Sequence, residues 1–128
     1  MAKGFQDHRN RLAALNYFGK DLARRSGSKC ELCGAGGPLQ TYELPPAPAE
    51  PDFYRCVFLC GDCADAIGSP QRANAERWRC LNNSVWSEVP AVQALAVRLL
   101  RDLSKSEPWA AELLDQVYLD PEVGELAG

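Results

Sequence analysis

Two Cys-x-x-Cys pairs, Cys30/Cys33 and Cys60/Cys63, constrain this chain more than any other feature. A thiolate is a soft, negatively charged donor, and four of them match the tetrahedral preference of Zn²⁺. The two-residue spacer lets one tight turn aim both sulfurs at a single point. One such pair is common. Two in a small chain, separated by a stretch able to form a hairpin, mark a metal site. Cys30, Cys33, Cys60 and Cys63 are therefore expected to ligate a structural Zn²⁺. A rubredoxin-like Fe site uses the same four donors; a second pair that opens a helix rather than a second knuckle favours zinc. Four sulfur ligands leave no position for a substrate water, so the site is expected to hold shape rather than catalyse.

The totals set the frame. A chain of 128 residues, 46% hydrophobic and 24% charged, has the make-up of an ordinary globular protein. One domain is expected over residues 1–128: an N-terminal helix within 1–29, a zinc-binding lobe over 30–68, a helical lobe over 69–119 and a frayed tail at 120–128. The fold class is α+β, mostly α, with a small β-hairpin metal lobe packed between the N-terminal helix and the C-terminal helices. The N-terminus is polar and no apolar run is long enough to span a bilayer, so a cytoplasmic location is expected. Thiols stay reduced or metal-bound there, which argues against three disulfides from the six cysteines.

Charge is unevenly distributed. Residues 1–29 hold seven Lys/Arg against two Asp, whereas the remainder holds seven bases against 15 acids. From Glu107 onward there are six acids and no base. A basic head and an acidic tail either serve different partners or face each other, and the second is the simpler expectation.

Along the chain, Phe5, Leu12, Leu15, Phe18 and Leu22 recur at helical spacing and predict a helix over 4–25 with one apolar face. Gly27 suits its left-handed cap. Arg9, Arg11, Lys20, Arg24, Arg25 and Lys29 give this segment a basic surface that could meet a nucleic acid or a protein partner, although cations on a wet helix face are usually just solvated. Cys30 to Cys33 reads as a zinc knuckle, with Gly34 supplying the reversal after it. Leu39–Leu44 should be a short strand, the proline-rich 45–51 an extended surface loop, and Phe53–Leu59 the best strand of the chain. Cys60 and Cys63 should sit on the first turn of a helix, where free N–H groups stabilise thiolate charge. Arg24, Arg25 and Lys29 are placed to offset the dianion that four thiolates make with Zn²⁺.

A helix is then expected over 70–81, a break at Asn82-Asn83-Ser84, a strong helix over 90–104 with Pro90 at its first position, and a last helix over 107–119. Cys56 and Cys80 read as small buried hydrophobes. A nucleophilic cysteine would want a base, and the single histidine, His8, lies far away in sequence at a helix edge. Trp78, Trp86 and Trp109 read as core anchors rather than base-stacking platforms. Gly-rich phosphate loops, G-x-S-x-G and H-E-x-x-H do not occur.

Two resemblances follow from these residues. Cys30-x-x-Cys33, Leu44 and Val57-Phe-Leu-Cys60-x-x-Cys63 resemble the treble-clef zinc scaffold of HNH endonucleases. That family carries a histidine pair on the strand after the knuckle, as base and metal ligand; here the stretch is Thr41-Tyr42-Glu43-Leu44, so the scaffold lacks the chemistry. More of the chain resembles the PhnA-like (alkylphosphonate-operon-associated) family in its proteobacterial N-terminal zinc-ribbon form. The matching stretches are Gly19-Lys-Asp-Leu-Ala-Arg-Arg, Ser28-Lys-Cys30-Glu-Leu-Cys33, Tyr42-Glu-Leu-Pro-Pro, Glu50-Pro-Asp-Phe, Trp78-Arg-Cys80-Leu-Asn and Val85-Trp-Ser-Glu-Val-Pro90-Ala-Val-Gln. The resemblance implies a zinc-binding bacterial protein and brings no phosphonate-cleaving centre, which would need Asp and His ligands. The expected function is a noncatalytic zinc-binding module; a nucleic-acid binder or degenerate nuclease, and a phosphonate-metabolism protein, are the alternatives.

Overall fold

The computed structural model describes residues 2–128, with side chains from residue 9 onward. The readings of Phe5 and His8 therefore fall outside the described side chains. Helix α1 spans Ala2–Ser26. It ends as Gly27 predicts, with φ 68° at Gly27 and 60° at Ser28, and with Ser28 N–H bonding back to Ala23 O at 2.8 Å. Leu22 is fully buried on the predicted face, but Leu12 is 48% exposed.

The knuckle follows. Gly34 reverses the chain at φ 80°, and Gly34 N–H bonds Cys30 O at 2.8 Å. Strands β1 (Leu39–Glu43) and β2 (Cys56–Cys60) pair antiparallel, with Leu39 opposite Cys60 and Glu43 opposite Cys56. The second strand starts later than its β-rich sequence suggests. Phe53–Arg55 form a 3-10 turn instead, capped by the Asp52 side chain, which accepts from Tyr54 N–H at 2.9 Å. Cys56 and Val57 are both buried although they point to opposite faces. Both faces of the strand are covered: α1 lies on one and the helical lobe on the other.

Cys60 caps α2 (Gly61–Ile67). The helix expected over 70–81 is replaced by two 3-10 turns, Pro70–Arg72 and Ala75–Cys80, and by α3 (Leu81–Ser84), which takes up the expected break at Asn82–Ser84. Three residues per 3-10 turn put positions i and i+3 in line. Trp78 of the second turn and Leu81 and Ser84 of α3 are all buried, and the Trp78 indole N–H donates to Pro70 O at 2.9 Å.

Helix α4 (Pro90–Leu103) is the centre of the helical lobe, with Pro90 at its first position and nine buried residues. Helix α5 (Pro108–Gln116) stops short of residue 119, which leaves Tyr118 exposed. The tail expected to fray over 120–128 does not. It forms α6 (Pro121–Ala127), with Val123 and Ala127 buried. It packs on α4. Arg98 Nε of α4 donates to Leu126 O at 3.1 Å, and Arg101 Nη1 donates to Ala127 O at 3.1 Å and Gly128 O at 2.8 Å. Two guanidiniums thus satisfy carbonyls that a helix end leaves without partners.

Three arginines of the basic head pair with acids outside the acidic tail, which was expected to face them. Arg11, Arg24 and Arg25 pair with Glu43, Asp21 and Glu31. No helix among the described residues is long and apolar enough to cross a membrane.

Candidate metal centre

The knuckle and the start of α2 carry the two cysteine pairs, and the hairpin between them folds back so that the pairs meet. Because β1 begins opposite Cys60, the chain leaving the knuckle returns beside the second pair. The Sγ atoms of Cys30, Cys33, Cys60 and Cys63 all lie within 4.8 Å of one another. Cys33 and Cys60 sulfurs are 3.7 Å apart. A tetrahedron of Zn–S bonds near 2.3 Å has an edge of about 3.8 Å, so the sulfurs already stand at ligand spacing. They are far beyond disulfide bonding distance, and all six cysteines are free thiols. The four cysteines are positioned to ligate one metal ion jointly, and the donor set suits a structural Zn²⁺.

Local backbone prepares the charge. Cys60 is the N-cap of α2, and its sulfur accepts from Cys63 N–H at 3.5 Å. Cys30 is drawn down to about 4, first by the hydrogen bond from the Cys63 side chain and against the pull of burial. Cys63 is pushed up, first by that same bond and then by burial. Burial also pushes Cys33 up, so Cys30 is favoured as the anion while Cys33 and Cys63 hold protons that a divalent cation would displace on binding.

Nearby cations differ from those expected. Arg25 is turned to Glu31 and to Cys56 O, Arg24 lies 3.9 Å from Asp21, and Lys29 is exposed. The cation that reaches the cage is Arg77, whose Nη1 lies 3.7 Å from Cys63 Sγ and whose Nη2 lies 3.6 Å from Asp62. Nothing in the sequence around Arg77 announces this. It sits one residue before Trp78, and burial of that indole aims the turn at α2.

Cys80 lies beside the cage, lining with Cys30 and Cys33 an open cavity of about 370 Å³. Burial and then the charge at Cys33 and Cys30 push its thiol up to about 11. Cys56 is likewise pushed up to about 11, first by burial and then by Glu43, and its S–H donates to Asp52 O at 3.3 Å. Both are neutral thiols at ordinary pH and poor nucleophiles. Trp78 is a core anchor, as expected; Trp86 is exposed and Trp109 half-buried.

The six basic residues of the first segment divide. Arg11 pairs with Glu43 and donates to the carbonyls of Pro48 and Ala49, holding the proline-rich loop to α1. Arg25 holds the knuckle. Arg9, Lys20, Arg24 and Lys29 are exposed.

The chain matches no family model, no curated protein and no solved structure.

Proposed function

We propose that this protein is a noncatalytic, zinc-held interaction module of the PhnA-like kind, built on a treble-clef arrangement of knuckle, hairpin and ligand-bearing helix. The observation that carries the reading is the closed, all-sulfur cage joining two segments about thirty residues apart. Bound zinc would supply cross-linking: the unfolded chain has no preformed site, so metal affinity becomes folding stability. Cys30 and Cys33 would hold it from the knuckle, Cys60 and Cys63 from α2.

The positions that bear histidines in an HNH nuclease have other work here. Thr41 donates to Leu15 O at 3.2 Å and Glu43 pairs with Arg11, so β1 is fastened to α1 rather than armed for hydrolysis. A phosphonate hydrolase of the Asp/His type would need more than the one histidine in the sequence.

Elemental analysis of the purified chain tests this, together with melting in a strong chelator and turnover assays on phosphonoacetate and nucleic acid. One zinc per chain, loss of the fold on chelation and no turnover are expected. A metal-free chain that stays folded in chelator overturns the metal reading. Turnover abolished by a substitution away from the cysteines overturns the noncatalytic one. Thiolate-to-iron absorption in the visible would exchange zinc for iron and leave the architecture standing.

A further inference from the structure

The face of α1 turned away from the hairpin is open to solvent. At 3.6 residues per turn, Arg9, Ala13, Tyr17, Lys20 and Arg24 fall within one stripe about 80° wide. All five are exposed. Tyr17 is 80% exposed, a large ring standing in water between cations rather than packed on a neighbour. Exposed Lys29 follows just past the helix end. The acid beside the stripe, Asp21, reaches Arg24 only at 3.9 Å between exposed side chains, so it screens little of the charge. Along one flank, α1 and the hairpin enclose a trough of about 360 Å³ in which Leu12, Leu15, Leu39 and Phe58 alternate with Asn16, Gln40 and Thr41. Half-exposed Leu12 forms its lip. This surface belongs to a chain that beyond residue 29 carries 15 acids against seven bases.

We propose that this stripe binds single-stranded nucleic acid, with phosphates on Lys20, Arg24 and Lys29 and bases against Tyr17 and in the trough. The proposal rests on the reading of the chain as a noncatalytic zinc-held module and names its partner. Charge complementarity selects a polyanion. The open ring and a trough lined by both apolar and amide or hydroxyl side chains select one whose bases are free to stack and to hydrogen-bond: a duplex keeps its base faces hidden, and an acidic peptide has none to offer. Lys20 and Arg24, four residues apart, are separated by about 6 Å along the axis, close enough to contact neighbouring phosphates of an extended strand. Arg11 and Arg25 are not part of the surface, because both are occupied inside the fold.

The test is a fluorescence-anisotropy titration of the full zinc-loaded chain against a labelled oligothymidylate of about 16 nucleotides, and against a duplex of equal length. The single strand should bind more tightly, with log K falling against log salt at a slope of about −2 for three phosphate contacts. Lys20→Glu combined with Arg24→Glu should weaken binding at least about tenfold, and Tyr17→Ala about fivefold or more. Lys105→Glu, an exposed cation of the helical lobe, should change neither. Melting curves of each loaded variant separate loss of binding from loss of fold. A salt-independent response, or equal affinity for duplex with Tyr17→Ala neutral, overturns the proposal. So does self-association abolished by the charge reversal while the oligonucleotide goes unbound, which would assign the stripe to the acidic tail of a second copy. A zinc-loaded, folded chain that ignores the oligonucleotide sinks this proposal alone; a chain without metal sinks the module reading, and the titration still decides the stripe.

Discussion

Arg25 grips Glu31 with two parallel bonds, Nε to Oε2 at 2.9 Å and Nη2 to Oε1 at 2.7 Å. The same guanidinium donates to Cys56 O at 2.8 Å, and the same carboxylate accepts from Phe58 N–H at 2.8 Å. One ion pair therefore ties α1, the knuckle and β2 together. Glu31 lies between two metal ligands, and its main chain is also tied to the strand, Glu31 N–H to Phe58 O at 2.8 Å.

This pair should be worth far more than a surface salt bridge, because both side chains are largely out of water and each has a second partner. Arg25→Ala and Glu31→Gln are each expected to cost about 2 kcal/mol, since each strands a charge or an N–H. The double substitution should cost about 1 kcal/mol or more less than the sum. Urea denaturation of the zinc-loaded proteins measures all three. Additive losses would mean that the two residues act separately.

Arg77 stands where a counter-charge to the cage is needed, close to Cys63 Sγ and Asp62. Arg77→Gln should lower metal retention about tenfold in competition with a chelator. The loaded protein should keep its fold, because Arg77 is not a core residue. An unchanged competition curve would show that the guanidinium does not support the thiolates.

The last helix is held by two buried side chains, Val123 and Ala127, and two arginines of α4. Val123→Ala should destabilise the protein by about 2 kcal/mol through lost burial. Arg98→Leu should leave the end of α6 with unsatisfied carbonyls. Faster amide exchange confined to residues 121–127, with α2 unaffected, is the expected signature. Equal exchange in both proteins would mean that the arginine adds nothing to the anchoring.

Cys56 sets an upper pH limit. Its folded thiol sits near 11 against an ordinary value of 9.0. A raised acid favours the protonated fold, so its contribution is complete below about pH 9 and declines as pH rises toward 11. The loss should approach on the order of 2 kcal/mol. Melting temperatures of wild type and Cys56→Val, measured from pH 7 upward on loaded protein, should diverge above about pH 9, with wild type falling faster. Parallel curves would refute the assignment.

Several parts of this molecule were legible in the order of residues. The two Cys-x-x-Cys pairs named the ligands, because the spacer that brings two sulfurs to one point is local geometry. Gly27 and Gly34 marked a helix end and a reversal, since a positive φ is a property of the residue that must adopt it. Pro90 marked the start of α4 for the same kind of reason. Segments whose conformation depends on a distant neighbour were misread. A helix is expected over 70–81 and a break at 82–84, yet 70–80 form two 3-10 turns, with buried Trp78 bonded to Pro70 O, and a short α-helix occupies 81–84. The tail read as frayed because its acids and glycines promise little by themselves; Arg98 and Arg101, more than twenty residues earlier, hold it in place.

The sequence alone determined which atoms could bind a metal and where the chain must turn, because those depend on covalent structure and on the nearest few residues. Tertiary structure decided which cations serve the cage and which stay in water. It assigned Arg77 to Cys63, withdrew Arg11 and Arg25 into ion pairs, and left Tyr17 and Lys20 outside. Arginines are chemically alike along a chain. Only their distance from a buried partner, fixed when the helices pack, distinguishes one that holds the fold from one free to meet something else.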